Sequence, residues 1–153
     1  MRKYTTKRIF NNILLEIGCK FPLPPGILRA KICNLGGVNF ISTKRCFVGD
    51  GVLFDHQYPE NITIGEHTII TSGVKILSHY YDTNNLDSNH HHMKVGKVVI
   101  GRDVFIGMNT VIANSVIIGD GAIIGANTVI TKDVSAQTIV AGNPARIIRK
   151  RNN

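Results

Sequence analysis

An isoleucine at every sixth position is the feature that most constrains how this chain of 153 residues can fold. The isoleucines share one frame: Ile100, Ile106, Ile112, Ile118, Ile124 and Ile130. A small residue follows each, and a turn-forming residue stands two positions further on: Asp103, Asn109, Ser115, Gly121, Asn127 and Asp133. A period of six fits neither an alternating strand nor an amphipathic helix. Each unit is therefore predicted to form one short strand and one corner.

Three such units complete one triangular coil, and successive coils pair as parallel strands about 4.8 Å apart. The isoleucines then stack inside the prism and form its core. The repeat thus predicts an all-β domain built as a parallel β-helix, although the period does not fix the hand of the coil. Ile64, Ile70 and Ile76 keep the same spacing and predict an earlier coil over residues 62–79.

The remaining stretches predict how the domain is organised. Residues 1–34 are predicted to form a short helix and a proline-rich connector, and residues 35–142 the β-helix. Residues 143–153 are predicted to form a short basic C-terminal helix and tail. One long loop, residues 80–97, interrupts the β-helix, because this polar stretch has no periodicity. A loop of this length in a compact domain is usually functional.

The predicted N-terminal helix, Tyr4–Lys20, is amphipathic. Its apolar face has helical spacing and consists of Ile9, Phe10, Ile13, Leu14 and Ile17. We expect this face to pack on the side of the prism or on a neighbouring subunit. Peripheral contact with a membrane surface is the less favoured alternative.

Composition narrows the class of protein. A formal net charge of +8 favours a polyanionic partner. Three cysteines without metal-ligand spacing indicate reduced thiols and a cytoplasmic location. No run of apolar residues is long enough to span a bilayer, and the N-terminus lacks the apolar core of a signal peptide.

Three motifs resemble the hexapeptide-repeat acetyltransferases, which include galactoside, maltose and polysaccharide O-acetyltransferases. They lie at Val104–Gly107, Gly125–Asp133 and Ala141–Arg146. The resemblance implies a left-handed β-helix and a homotrimer. It also implies direct transfer of an acetyl group from acetyl-CoA to a hydroxyl of a sugar or glycan precursor.

The resemblance also implies catalytic residues. His79 stands where the regular coil gives way to the long loop, and the family has its general base at this point. Asp55 stands one coil earlier and is expected either to bind the acceptor or to orient the imidazole. The backbone N–H at Met108 matches the group that polarises the thioester carbonyl.

The cofactor-binding positions implied by the resemblance are Met108, Ala126, Thr131, Lys132, Arg146 and Arg149. Small outward residues leave room for the pantetheine arm of coenzyme A, and the cations suit its phosphates. No metal is expected.

Three alternatives stay open. Transfer to an amino sugar would make the protein an N-acetyltransferase. A zinc-dependent protein of the carbonic anhydrase type on the same fold would need His67, His79 and one residue of the run 90–92 around one ion. A non-catalytic protein that binds an acidic surface or nucleic acid is less favoured, because the chain has no nucleic-acid-binding motif.

Overall fold

The computed structural model describes residues 5–20, 26–81, 93–113 and 115–151 of the chain. Two α-helices come first: α1, Thr6–Lys20, and α2, Ile27–Leu35. The strands of the first part of the chain are β1, Asn39–Phe40; β2, Phe47–Val48; β3, Leu53–Phe54; β4, Ile62–Ile64; β5, Ile69–Ile70; β6, Lys75–Ile76; β7, His79–Tyr81; and β8, Met93–Val95. Those of the second part are β9, Val98–Ile100; β10, Phe105–Ile106; β11, Val111–Ile112; β12, Val116–Ile118; β13, Ile123–Ile124; β14, Val129–Ile130; β15, Thr138–Ala141; and β16, Arg146–Lys150. Short 3₁₀ turns occupy Thr43–Arg45 and Pro59–Asn61.

The strands wind into coils with three faces, each a sheet of parallel strands. Face 1 contains β1, β4, β9 and β12; face 2 contains β2, β5, β10, β13 and β15; and face 3 contains β3, β6, β11 and β14. The chain is therefore mostly β with two helices, and the predicted parallel stacking is confirmed.

The predicted isoleucine ladders form the core. On face 1, Ile64, Ile100 and Ile118 lie in register. The ladder of face 2 is Ile70, Ile106 and Ile124, and that of face 3 is Ile76, Ile112 and Ile130. All nine side chains are at most 1% exposed, so the prism is filled by apolar side chains rather than water.

We name the corners by the faces they join: corner I lies between faces 1 and 2, corner II between faces 2 and 3, and corner III between faces 3 and 1. Positive φ angles confirm the predicted turn role of Asp103, Asn109, Gly121 and Asn127, all at corners I and II. Asn, Asp and Gly suit these positions because they adopt the left-handed region more readily than other residues. Ser115 and Asp133, at corner III, are not among the described residues with positive φ.

The N-terminal part differs from the prediction in two ways. A second helix, α2, lies where only connector was expected, and it packs on β1, β2 and the first 3₁₀ turn. Helix α1 packs on α2 through Leu15, Gly18 and Cys19. The apolar face, expected on the prism or on a neighbouring subunit, therefore points away from the prism of its own chain, and its packing on a neighbouring subunit stays a prediction. Pro22, Pro24 and Pro25 lie outside the described residues.

The predicted C-terminal helix is wrong, because β16 occupies Arg146–Lys150 and pairs antiparallel with β15. The open edge of β15 offers backbone hydrogen bonds that a short isolated helix lacks. The predicted loop begins and ends in a two-stranded hairpin, in which His79 of β7 pairs with Val95 of β8. Residues 82–92 lie outside the described residues.

Candidate active site

A carboxylate and an imidazole meet at corner III. Asp55 follows β3, and His79 begins β7 one coil further along the chain. The two approach each other because β3 and β6 pair in register, which places the residues that leave face 3 side by side. Asp55 Oδ2 lies 2.5 Å from His79 Nδ1, a hydrogen-bond distance.

Other donors complete the surroundings of Asp55, which is 1% exposed. Its Oδ2 also accepts from the backbone N–H of Ser78, at 2.9 Å, and from the Ser78 hydroxyl, at 3.0 Å. Its Oδ1 accepts from the N–H groups of Gln57, at 2.8 Å, and Tyr58, at 3.2 Å. Both carboxylate oxygens are thus occupied within the protein.

These contacts keep Asp55 ionised although it is buried. Burial on its own would raise the pKa of the carboxyl group. The hydrogen bonds from His79, Ser78 and Gln57 outweigh that effect, so the pKa of Asp55 lies below its ordinary value. An ionised Asp55 accepts the Nδ1 proton of a neutral imidazole, and Nε2 is then the nitrogen that can accept a proton.

The His79 side chain is 23% exposed, so the ring is held from one side and accessible from the other. The ring of Tyr58 packs against it, with 5.8 Å between ring centroids. A partly exposed imidazole with a fixed tautomer is suited to taking a proton from a hydroxyl and giving it to a leaving group.

Two residues of this site, Ser78 and Tyr58, were missed by the sequence analysis. Ser78 is fully buried and bonds Asp55 twice. A serine directly before the candidate histidine was a visible signal for such a role. Tyr58 had no signal of its own, because its approach to His79 depends on the shape of the corner insertion that ends with the turn Pro59–Asn61.

Met108 lies elsewhere, at corner II, directly after β10 and Gly107. Its side chain is 53% exposed, and within the described parts of the chain its backbone N–H has no acceptor. Ala126 stands one coil above it, where the N–H of Asn127 donates to the Met108 carbonyl at 2.8 Å. The structure therefore pairs Met108 with Ala126 and places neither beside His79.

The remaining predicted cofactor residues also divide between corners. Thr131 and Lys132 follow β14 at corner III, two coils or roughly 10 Å above His79. Arg146, at the start of β16, faces Ala141 and so lies toward corner II. Arg149 faces Ile139, nearer the opposite end of that strand pair. All of β16 is exposed to solvent.

A cleft of about 740 Å³ lies between α1 and the corner insertion that contains Tyr58. Most of the residues that line it have polar side chains, and they include Arg8, Asn11, Asn12 and Gln57. The guanidinium of Arg8 donates to the Gln57 carbonyl at 3.0 Å and lies 6.0 Å from the centroid of the Tyr58 ring. Through Tyr58 the cleft adjoins the Asp55–His79 pair.

The zinc alternative finds no support in the described residues, where no three His, Cys, Asp or Glu side chains converge as a metal site. His67 instead contacts Asp103 and Arg45, each at 3.1 Å, on corner I. The run 90–92, which that alternative also needs, lies outside the described residues.

Comparison with known proteins identifies a hexapeptide repeat and relatives named as acetyltransferases. Residues 97–132 match the family described as bacterial transferase hexapeptide, six repeats. YvoF of Bacillus subtilis, which its name assigns to the acetyltransferases, is 44% identical over 97 residues, 63% of this chain and 52% of YvoF. The chain therefore spans about half the length of this curated relative.

Two solved structures share the fold over most of the chain. A maltose O-acetyltransferase from Clostridium difficile 630 has a TM-score of 0.73 at 24% identity, covering 96% of this chain and 87% of that protein. The acetyltransferase VCA0836 of Vibrio cholerae, complexed with acetyl coenzyme A, has a TM-score of 0.69 at 23% identity, covering 95% and 87%. Residues 97–132 of this chain therefore match the repeat of the bacterial transferase hexapeptide proteins, and acetyltransferases are among its relatives.

Proposed function

We propose that this chain is an acetyl-CoA-dependent O-acetyltransferase that acts on a hydroxyl of a sugar or glycan precursor in the cytoplasm. The observation that carries the proposal is the Asp55–His79 pair, in which a buried, fully bonded carboxylate holds Nδ1 and leaves Nε2 as the proton acceptor. Asp55 acts as the orienting residue in this scheme, because both of its oxygens are already occupied within the protein.

The reaction is a direct transfer. His79 Nε2 removes the proton of the acceptor hydroxyl as its oxygen attacks the thioester carbonyl carbon. The tetrahedral intermediate then collapses, the carbon–sulfur bond breaks, and the imidazolium returns the proton to the thiolate of coenzyme A. A hydroxyl is too weak an acid to ionise near neutral pH, so the base must act during the attack.

Acetyl-CoA would be held by two sets of residues. The N–H of Met108, which has no acceptor among the described residues, is suited to stabilising the oxyanion, and the small side chain of Ala126 leaves room for the pantetheine arm. Lys132 and Arg146 supply cations for the phosphates, with Thr131 and Arg149 near the same path. Acetyl-CoA is the proposed donor because the VCA0836 structure, which shares this fold, holds it.

The acceptor class rests on the polar cleft beside Tyr58 and on the named activity of the maltose O-acetyltransferase. The amide groups of Asn11 and Asn12 can donate to and accept from sugar hydroxyls. The Oδ1 atom of Asn12 is buried and has no hydrogen-bond partner among the described residues, which favours a ligand with a donor group there.

A trimer of left-handed coils is the proposed assembly. Corners II and III flank face 3, and one side of the triangle separates them by roughly 15–20 Å at about 3.3 Å per residue. One chain therefore cannot bring Met108 and His79 to the same thioester. Corner III of one subunit next to corner II of another would complete the site.

The test is an acceptor screen with acetyl-CoA that measures release of free thiol, followed by His79→Ala on the acceptor found. We expect kcat to fall by roughly 10²–10⁴, the usual contribution of a positioned base. Binding of acetyl-CoA, measured by calorimetry, should be unchanged, because His79 contacts no phosphate in this scheme. A variant with parental kcat would remove His79 from the mechanism, and lack of acetyl-CoA binding by the parent would reject the function itself.

A further inference from the structure

Helix α1 presents large apolar side chains to solvent. Ile9 is 50% exposed, Phe10 61%, Ile13 51% and Ile17 38%. With helical spacing these four form one continuous stripe, which we call the α1 stripe. The opposite side of the helix is buried against α2 through Leu15, Gly18 and Cys19.

The orientation of α1 is unusual for a helix on the surface of a domain. Such helices normally turn their apolar stripe to the core and their polar residues to water. Here Asn11 and Asn12 face the polar cleft, while the α1 stripe faces away from the protein. A contiguous exposed apolar patch of this kind marks an interaction surface.

Charge identifies the kind of partner. The first 45 residues contain nine Lys and Arg and a single acidic residue, Glu16, whereas the rest of the chain is formally neutral. The whole net charge of +8 therefore belongs to the segment that carries the α1 stripe. Lys7 and Lys20 are both exposed and flank the stripe, although Lys20 also pairs with Glu16 at 2.8 Å, and Lys31 is exposed on α2. Arg29 of the same segment is buried against Asp50 and is not part of this surface.

We propose that α1 docks this protein on an anionic lipid bilayer, with the α1 stripe at the boundary between headgroups and acyl chains and the flanking lysines on anionic headgroups. An apolar stripe bordered by lysines is the pattern of helices that lie in the bilayer interface. The helix lies on the membrane rather than across it, since no described helix is long and apolar enough to span one.

A second copy of the chain is the weaker occupant. In a two-fold contact, two N-terminal segments of the same strong positive charge would repel each other, and in the head-to-tail trimer proposed above the α1 stripe contains none of the residues of the shared site. Anionic headgroups neutralise that charge instead, and each Lys or Arg near the membrane surface adds favourable electrostatic free energy to binding. The proposal does not depend on the reaction proposed above, since the α1 stripe contains none of its residues.

The experiment is co-sedimentation of the full chain with vesicles of phosphatidylcholine alone or with phosphatidylglycerol. We expect the parent to bind the anionic vesicles, to bind neutral ones at least tenfold less, and to be released by salt. Phe10→Asn with Ile13→Asn should lower binding to anionic vesicles at least tenfold. Ile117→Asn, which removes an equally exposed isoleucine from β12 on face 1, should leave binding unchanged.

Several results would overturn the proposal: a parent that stays in the supernatant with anionic vesicles, equal binding to neutral vesicles, or a double variant that binds as the parent does. Light scattering without vesicles tests the other occupant. A double variant with fewer chains per assembly than the parent would assign the α1 stripe to contact between copies and reject the lipid surface. Circular dichroism verifies that the variants are folded, and the binding of the parent tests the proposal even if they are not.

Discussion

At the scale of single residues, Asp55 combines burial with charge. Its carboxylate receives hydrogen bonds from His79, from the backbone and side chain of Ser78, and from the N–H groups of Gln57 and Tyr58. These bonds tie the corner insertion after β3 to the start of β7. One side chain therefore fixes both the local backbone and the tautomer of the imidazole.

Asp55→Asn tests this double role. We expect the substitution to lower the free energy of unfolding at pH 7 by about 1–3 kcal/mol, because the amide presents N–H groups to buried donors. The pKa of Asp55 is lower in the folded protein than in the unfolded chain, where it is about 4. The ionised carboxylate therefore contributes its full stabilisation above about pH 4, and the parent loses this contribution as the pH falls through the lower pKa of the folded state. The difference between parent and variant should therefore shrink in acid.

Urea denaturation at pH 7 and at a series of lower pH values measures the effect. Asp103→Asn is the matched control, since Asp103 also contacts a histidine, His67, but is exposed and has the positive φ that Asn tolerates. It should change stability little. If the difference in free energy of unfolding between the parent and Asp55→Asn stayed constant from neutral to acidic pH, it would contradict the assignment of a charge to Asp55.

The sequence could identify Asp55 and His79 as candidates but could not show their contact. That contact depends on the register of β3 with β6 and on the path of two corner insertions, which a short repeat does not encode. The same limit applies to Tyr58, whose ring meets His79 only because the insertion before Pro59 folds back toward corner III.

At the scale of elements, the sequence predicts the elements that repeat and does not predict those that depend on a single tertiary contact. The three ladders follow from the six-residue period alone, because every coil buries the same position. Helix α2 was missed although Gly36 and Gly37 follow it as a stop signal. Strand β16 was missed because it forms by pairing with β15 at the open edge of face 2, and local sequence propensity does not reveal that pairing.

Glycines at corner I show how closely the coils stack. Gly65, Gly101 and Gly119 each follow a core isoleucine, and a Cβ on Gly65 would lie 2.4 Å from the carbonyl carbon of Gly101. Gly65→Ala should therefore destabilise the protein by about 1–3 kcal/mol, the usual cost of overpacking. Chemical denaturation measures it.

Ala113 provides the control for Gly65→Ala. It holds the same place after Ile112 at corner III, where a Cβ is already accommodated. Ala113→Gly should cost no more than about 1 kcal/mol, mainly from the added freedom of the unfolded chain. If both substitutions had the same small effect, the coils would not be limited by backbone contact at corner I.

At the scale of the whole molecule, the proposed division of the site between corners II and III predicts complementation between inactive chains. His79→Ala damages corner III and Arg146→Glu damages corner II. Within a trimer of shared sites, a site formed by an intact corner of each kind would remain active. In every trimer that contains both variants, one of the three sites joins an intact corner III to an intact corner II, so such mixed trimers should show about one third of the parental activity per site.

Co-production of the two variants with different affinity tags, purification through both tags and assay of acetyl transfer measures the effect. His79→Ala mixed with Lys132→Glu is the control, because both residues lie at corner III and every subunit of such a trimer has a damaged corner of that kind. This control should stay at the activity of its inactive parents. If neither mixture regained activity, each site would be contained in one chain, because mixed trimers could then form no intact site. Light scattering that gave the mass of one chain would reject the trimer directly.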